Sequence, residues 1–91
     1  MIDLDNLVLT EPQIKEKIAT NFKKRRKEHK ISQKQLAIKS GVSFGSIKRF
    51  EQTGEISLSN LIKIALILDL EKDLFSLFTT PYFENIEDML K

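Results

Sequence analysis

The sequence predicts an all-α domain of five short helices, on three observations. Side-chain N-caps recur just before apolar residues spaced three and four apart, and glycines or a Thr-Thr-Pro stretch fall where those patterns stop. No alternation of apolar and polar residues runs long enough to build a sheet, and there is neither a repeat nor a low-complexity segment. At 91 residues the chain has room for one domain and little more. A composition of 41% hydrophobic and 31% charged residues is that of an ordinary globule, too apolar for intrinsic disorder.

Each element follows from local chemistry. Residues 1–10 hold Ile2, Leu4, Leu7, Val8 and Leu9 among acids, and read as an N-terminal arm or a short strand. Thr10-Glu11-Pro12-Gln13 is a capping box with proline in the first turn, where its missing N–H costs nothing. Ile14, Ile18 and Phe22 recur at helical spacing after it, so a first helix is expected to run to about Glu28. A second box, Ser32-Gln33-Lys34-Gln35, opens a short helix with Leu36 and Ala37 inward; Gly41 stops it. Ser43 caps a third helix carrying Ile47 and Phe50, ended by Thr53-Gly54. Two short helices joined by about three residues around Gly41-Val42-Ser43 make a helix-turn-helix.

Ser57 starts a fourth helix with Leu61, Ile64, Ala65 and Leu68 on one stripe, and Leu58, Ile62 and Leu66 about 100° round from it. So wide an apolar arc is expected to be covered on two sides. Asp69 or Leu70 should start a fifth helix through Leu74, Phe75, Leu77 and Phe78, broken by Thr79-Thr80-Pro81. Residues 1–10, 11–70 and 71–91 thus divide into an arm, a helical core and a short apolar C-terminal extension.

A net charge of +2 hides a strong asymmetry: residues 1–10 carry −2, residues 11–50 carry +9 and residues 51–91 carry −5. A basic half joined to an acidic half is the footprint of a polyanion-binding surface beside one kept away from the polyanion. With no cysteine there is no disulfide or thiolate metal site, and the longest apolar run, Ile64 to Leu68, is too short to span a membrane. No basic n-region leads into an apolar stretch at the start, so a cytoplasmic protein is expected.

The string Ser32-Gln33-x-x-Leu36-Ala37-x-x-x-Gly41-Val42-Ser43-x-x-Ser46-Ile47-x-x-Phe50-Glu51-x-x-Gly54, continued by Leu58, Leu61, Ile64, Ala65 and Leu68, resembles the phage-repressor-like (Xre, Cro/C1-type) family of helix-turn-helix regulators over about residues 14–70. The resemblance implies a five-helix lambda-repressor-like DNA-binding domain whose third helix enters the major groove, usually as a dimer on a palindromic operator. It also implies that Arg26, seven residues before Gln33, pairs with Glu51 as a structural ion pair. Gly45 stands where the family commonly offers a base-reading polar side chain, and the proline often found near Ile56-Ser57 is absent.

Helical geometry points the same way. With Ile47 at 0°, Phe50 and Glu51 fall at about −60° and +40°, while Gly45, Lys48, Arg49 and Gln52 fall between about 100° and 200°. Arg49 suits guanine O6 and N7, Lys48 guanine or a phosphate, and Phe44, at the margin, a thymine methyl. Gly45 lets the backbone approach the duplex closely. Gln33, at a helix start, is a candidate for clamping a phosphate or supporting a base contact, as in the resembled family. Ser32, Ser43 and Ser46 are short-range donors to phosphate oxygens, the first two being N-caps first. Lys34 and Lys39 supply salt-dependent backbone contacts, whereas most of Lys23, Lys24, Arg25 and Lys27 reads as a solvated helix face.

Four of seven aromatics, Phe75, Phe78, Tyr82 and Phe83, lie within nine residues and together with Leu74 are the candidate interface for a homodimer or another protein. The single histidine, His29, is expected to lie exposed near a helix end and cannot by itself form a metal site or a triad; no phosphate loop or paired catalytic carboxylate is visible. The expected function is therefore non-enzymatic and needs no cofactor, metal or membrane. It is a transcriptional regulator, a repressor binding double-stranded DNA as a homodimer. The alternative is an antitoxin of the HipB type, autoregulating its operon while neutralising a kinase-like toxin. A pure protein-interaction module of the same fold is disfavoured by Lys48 and Arg49 on the outward face.

Overall fold

The structure, a computed structural model, describes residues 9–82. Most of the expected arm, together with Phe83, Ile86, Met89 and Leu90, lies outside the described residues. Five helices follow in order: α1 (Glu11–Glu28), α2 (Gln33–Ser40), α3 (Phe44–Thr53), α4 (Leu58–Ile67) and α5 (Glu71–Phe75). Among the described residues there is no strand, and no helix is long and apolar enough to cross a membrane.

The four long helices begin as their caps dictate. Thr10 and Ser32 each accept an N3 backbone N–H while Gln13 and Gln35 reach back to the cap, and Ser43 and Ser57 cap α3 and α4 with one hydrogen bond each. Gly41 (φ 76°) and Gly54 (φ 79°) end α2 and α3 in the left-handed conformation. The ends of α1 and α4 turn the same way without glycine. Ile31 and Lys30 donate back to the carbonyls of Arg26 and Lys27, and Leu70 and Asp69 to those of Ala65 and Leu66. These are two Schellman turns with Lys30 (φ 56°) and Asp69 (φ 57°) in the position glycine normally takes.

The core is Phe22, Leu36, Val42, Ile47, Phe50, Ile64 and Leu68, with the Phe22 and Phe50 rings edge-on at 5.3 Å. α1 packs on α3, α2 on α3 and α4, and α5 on α4 alone. That arrangement corrects three expectations. On α1 the inward stripe is Ala19, Phe22 and Arg26, while Ile14 and Ile18 stay half exposed. The second stripe of α4, Leu58, Ile62 and Leu66, is likewise not buried by the described residues, among which α5 is only five residues long. α5 itself stops at Phe75, earlier than Thr79-Thr80-Pro81. The Ser76 hydroxyl donates to the Asp73 carbonyl, the Thr79 hydroxyl donates to the Ser76 carbonyl, and Phe78 enters the left-handed region (φ 62°). His29 is only half exposed: it ends α1 with Nδ1 3.0 Å from the Arg25 carbonyl.

Gly54 also brings two elements together. A Cβ there would lie 2.6 Å from the Lys15 Cβ and 3.0 Å from the Lys15 carbonyl oxygen, so α1 passes directly over the end of α3. Beside this crossing the Lys15 ammonium bridges Glu11, at 2.8 Å, and Glu55. Hydrogen bonds to Glu11 and then Glu55 push the Lys15 ammonium up, and the bond from Lys15, with smaller help from the Arg49 charge, holds the Glu55 carboxyl down. A lowered carboxyl stabilises above the unfolded carboxylate range and loses its effect as pH falls through its folded value. A raised ammonium stabilises below the unfolded lysine value and loses its effect at high pH.

Gly54→Ala should cost about 2–4 kcal/mol in urea melts, adding a backbone clash to left-handed strain. Gly41→Ala, with open space around it, should cost only about 1–2 kcal/mol. Glu55→Gln should lower the thermal midpoint slightly at neutral pH, and the gap from the parent should close on acidification.

Candidate nucleic-acid interface

The candidate surface is assembled from the starts of α2 and α3 and the outward face of α3. Ile47 and Phe50 bury one side of α3, which leaves Lys48, Arg49 and Gln52 exposed on the other. Gly45 lies in the first turn with open space where a Cβ would stand, so nothing among the described residues requires a glycine there. Phe44, the first residue of α3, is partly exposed, and the Lys34 ammonium sits 5.7 Å from its ring centroid. This contact holds a flexible cation at the rim of α3 and joins two of the expected DNA-facing residues.

The serines have different duties. Ser32 caps α2, and its hydroxyl oxygen is occupied by the Gln35 N–H at 3.0 Å. The Ser43 oxygen accepts the Ser46 N–H at 3.1 Å, and its hydroxyl donates to Ser46 Oγ at 2.8 Å. The hydroxyl protons of Ser32 and Ser46 are thereby left for a ligand while that of Ser43 is not, a division that sequence spacing could not reveal.

Beneath this surface lies the Arg26–Glu51 pair. Arg26 Nε and Nη2 donate to the two Glu51 oxygens at 2.7 and 2.9 Å, a bidentate fork. Only 8% of the Arg26 side chain and 2% of the Glu51 side chain remain exposed. Arg26 Nη1 also donates to the Ile31 carbonyl at 2.8 Å, and Gln33 Nε2 donates to Glu51 Oε1 at 2.9 Å. A carboxylate only accepts, so the Gln33 amide nitrogen must face Glu51. Gln33, expected to clamp a phosphate or support a base contact, is thus anchored to the core by one of its N–H bonds.

The sequence reading also overlooked neighbours of Arg49. Ser46, Arg49, Ser57 and Asn60 border a polar hollow of about 290 Å³ between α3 and the start of α4, with Glu55 and Ile56. The available signal was Ser57-x-x-Asn60, a helix start placed next to the outward face of α3. Of the expected interface residues at the other end, Leu74 is half buried, while Phe75, Phe78 and Tyr82 are exposed. Phe83 lies outside the described residues.

A family model described as helix-turn-helix matches residues 22–75, a span that begins in the middle of α1 and ends with α5. No curated protein and no solved structure matches the chain.

Removing one member of the buried pair leaves the other charge uncompensated. Arg26→Ala and Glu51→Ala should therefore each cost about 3–5 kcal/mol by circular dichroism melts, whereas Arg26→Met with Glu51→Leu should recover most of that loss. Unchanged midpoints in the single variants would remove the pair from the list of structural determinants.

Proposed function

Since the chain belongs to the Xre (Cro/C1-type) helix-turn-helix family, whose members are DNA-binding transcription regulators and not enzymes, we propose that it is a repressor binding a short inverted-repeat operator as a homodimer. The observation that carries this reading is the two-sided α3: Ile47 and Phe50 are buried, and Lys48 and Arg49 stand exposed together beside Phe44, Gly45 and the start of α2. Arg49 supplies a bidentate fork for guanine, Lys48 a guanine or phosphate contact and Phe44 an apolar surface for a thymine methyl. The exposed backbone at Gly45 lets α3 lie deep in the groove. Ser46, Asn60 and Lys34 supply phosphate contacts, which set register rather than sequence. Gln33, with one N–H committed to Glu51, reaches the duplex through the rest of its amide. The working location is wherever the DNA is, which for such a regulator means the cytoplasm and nucleoid.

Two α3 helices on a two-fold axis would enter successive major grooves about 34 Å apart. Selection from random duplexes should therefore return an inverted repeat with half-sites about one helical turn apart, and recovery of single half-sites would remove the dimer from the proposal. A second reading is favoured by the exposed Phe75, Phe78 and Tyr82: an antitoxin that occupies its own operator and covers a toxin with this end. A toxin encoded in the neighbouring reading frame and neutralised on co-expression would decide for it.

Arg49→Ala should weaken operator binding by about 1–3 kcal/mol and relax preference at one base position in competition gel shifts. An equal loss on every sequence would reassign Arg49 to phosphate. Lys34→Ala should weaken all sequences alike and reduce the salt slope of binding by about one.

A further inference from the structure

The outward side of α3 is uniform in its hydrogen-bond chemistry. From Phe44 to Phe50 the polar side chains are Ser46, Lys48 and Arg49, all of them donors, and no carboxylate or amide oxygen stands among them. Ser46 Oγ already accepts the Ser43 hydroxyl at 2.8 Å, so what it presents is a proton. In the major groove guanine shows two acceptors, N7 and O6, and thymine shows the O4 acceptor beside a methyl group, whereas cytosine shows an N4 donor. A donor face is matched by the first two bases and opposed by the third.

The one apolar side chain on this face is Phe44. Its ring is 39% exposed, and the partly buried apolar residues packed on the core do not include it. Its contact is instead the Lys34 ammonium of α2, 5.7 Å from the ring centroid. Gly45, the next residue, has open space where a side chain would screen the ring. Lys48 follows four residues on, so ring and ammonium lie one turn apart on the same ridge, about 5–6 Å between their Cβ atoms. That separation suits neighbouring bases.

We propose that Phe44 and Lys48 together read a pyrimidine 5-methyl group beside a guanine, so that methylation of cytosine enters the sequence code of the operator. The inference rests on the reading of α3 as the groove-entering helix and names the bases it takes. The methyl group projects into the major groove from the same ring carbon in thymine and in 5-methylcytosine. Phe44 has no polar atom with which to tell the two apart, and Lys48 is occupied by the guanine. Unmethylated cytosine offers this ridge neither a methyl group nor an acceptor, and is the base it rejects. A regulator built in this way binds its site more tightly when that cytosine is methylated.

The decisive test alters the DNA and leaves the chain intact. A duplex recovered by selection is resynthesised with deoxyuridine in place of one thymine at a time. At the thymine whose methyl group matters, cytosine and 5-methylcytosine are then placed opposite guanine. Loss of the thymine methyl should lower affinity about fourfold in gel shifts, the effect of one apolar carbon. 5-Methylcytosine should exceed cytosine by about the same factor. In Phe44→Ala both ratios should fall to one, whatever the overall loss of affinity, and in Phe44→Leu both should persist. Uracil accepted at every thymine overturns the proposal and leaves the DNA-binding reading standing. A thymine effect without a 5-methylcytosine effect overturns methylation as an input. Ratios that survive Phe44→Ala overturn the role of Phe44. A chain that selects no duplex overturns the reading of α3 as well.

Discussion

The orientation of the helix-turn-helix depends on one carboxylate meeting one guanidinium inside the protein. Arg26 leaves α1 and reaches Glu51 on α3 with two bonds and Ile31 in the α1–α2 turn with a third. The same Ile31 donates its N–H to the Arg26 carbonyl, so backbone and side chain of one arginine hold the turn from both directions. Gln33, at the start of α2, closes the arrangement on Glu51. Three helices and a turn thus share one polar centre in which no buried side-chain nitrogen or oxygen of the described residues lacks a partner. Apolar packing of Leu36, Ile47 and Phe50 drives collapse but is poorly directional, whereas a bidentate fork tolerates little rotation of α3 against α1. The angle at which α3 presents Lys48 and Arg49 follows from that restriction.

Helix starts were readable in the chain because caps are local: Thr10, Ser32, Ser43 and Ser57 each satisfy the backbone donor three residues on, whatever the tertiary context. Stops marked by glycine were readable for the same reason. The stop at Phe75 was not, since it depends on Ser76 and Thr79 hydroxyls turning back on carbonyls, chemistry equally compatible with another helical turn. Nor did periodicity reveal which face of α1 is inward. Ile14, Ile18 and Phe22 look like the buried stripe until Arg26, a charged residue, proves to share the core face with Ala19 and Phe22. Ile18 then borders an open groove.

The candidate DNA surface divides along the same line. Outward placement of Lys48 and Arg49 follows from the 3.6-residue period once Ile47 is inward. The division of labour between Ser43 and Ser46, the contact of Lys34 with Phe44 and the proximity of Asn60 to Arg49 depend on how α2, α3 and α4 meet, which no spacing within one helix contains.

Glu51 Oε1 is shared by a structural bond from Arg26 and a bond from Gln33, the first residue of α2 and part of the candidate DNA surface. If Gln33 meets a duplex as proposed, a force applied there would be transmitted to the centre that sets the helix geometry. By reciprocity, whatever loosens that centre would reduce affinity at that edge to the same degree. On the proposed reading, operator binding and the fold would then share one coupled equilibrium, with bound DNA acting as a folding ligand.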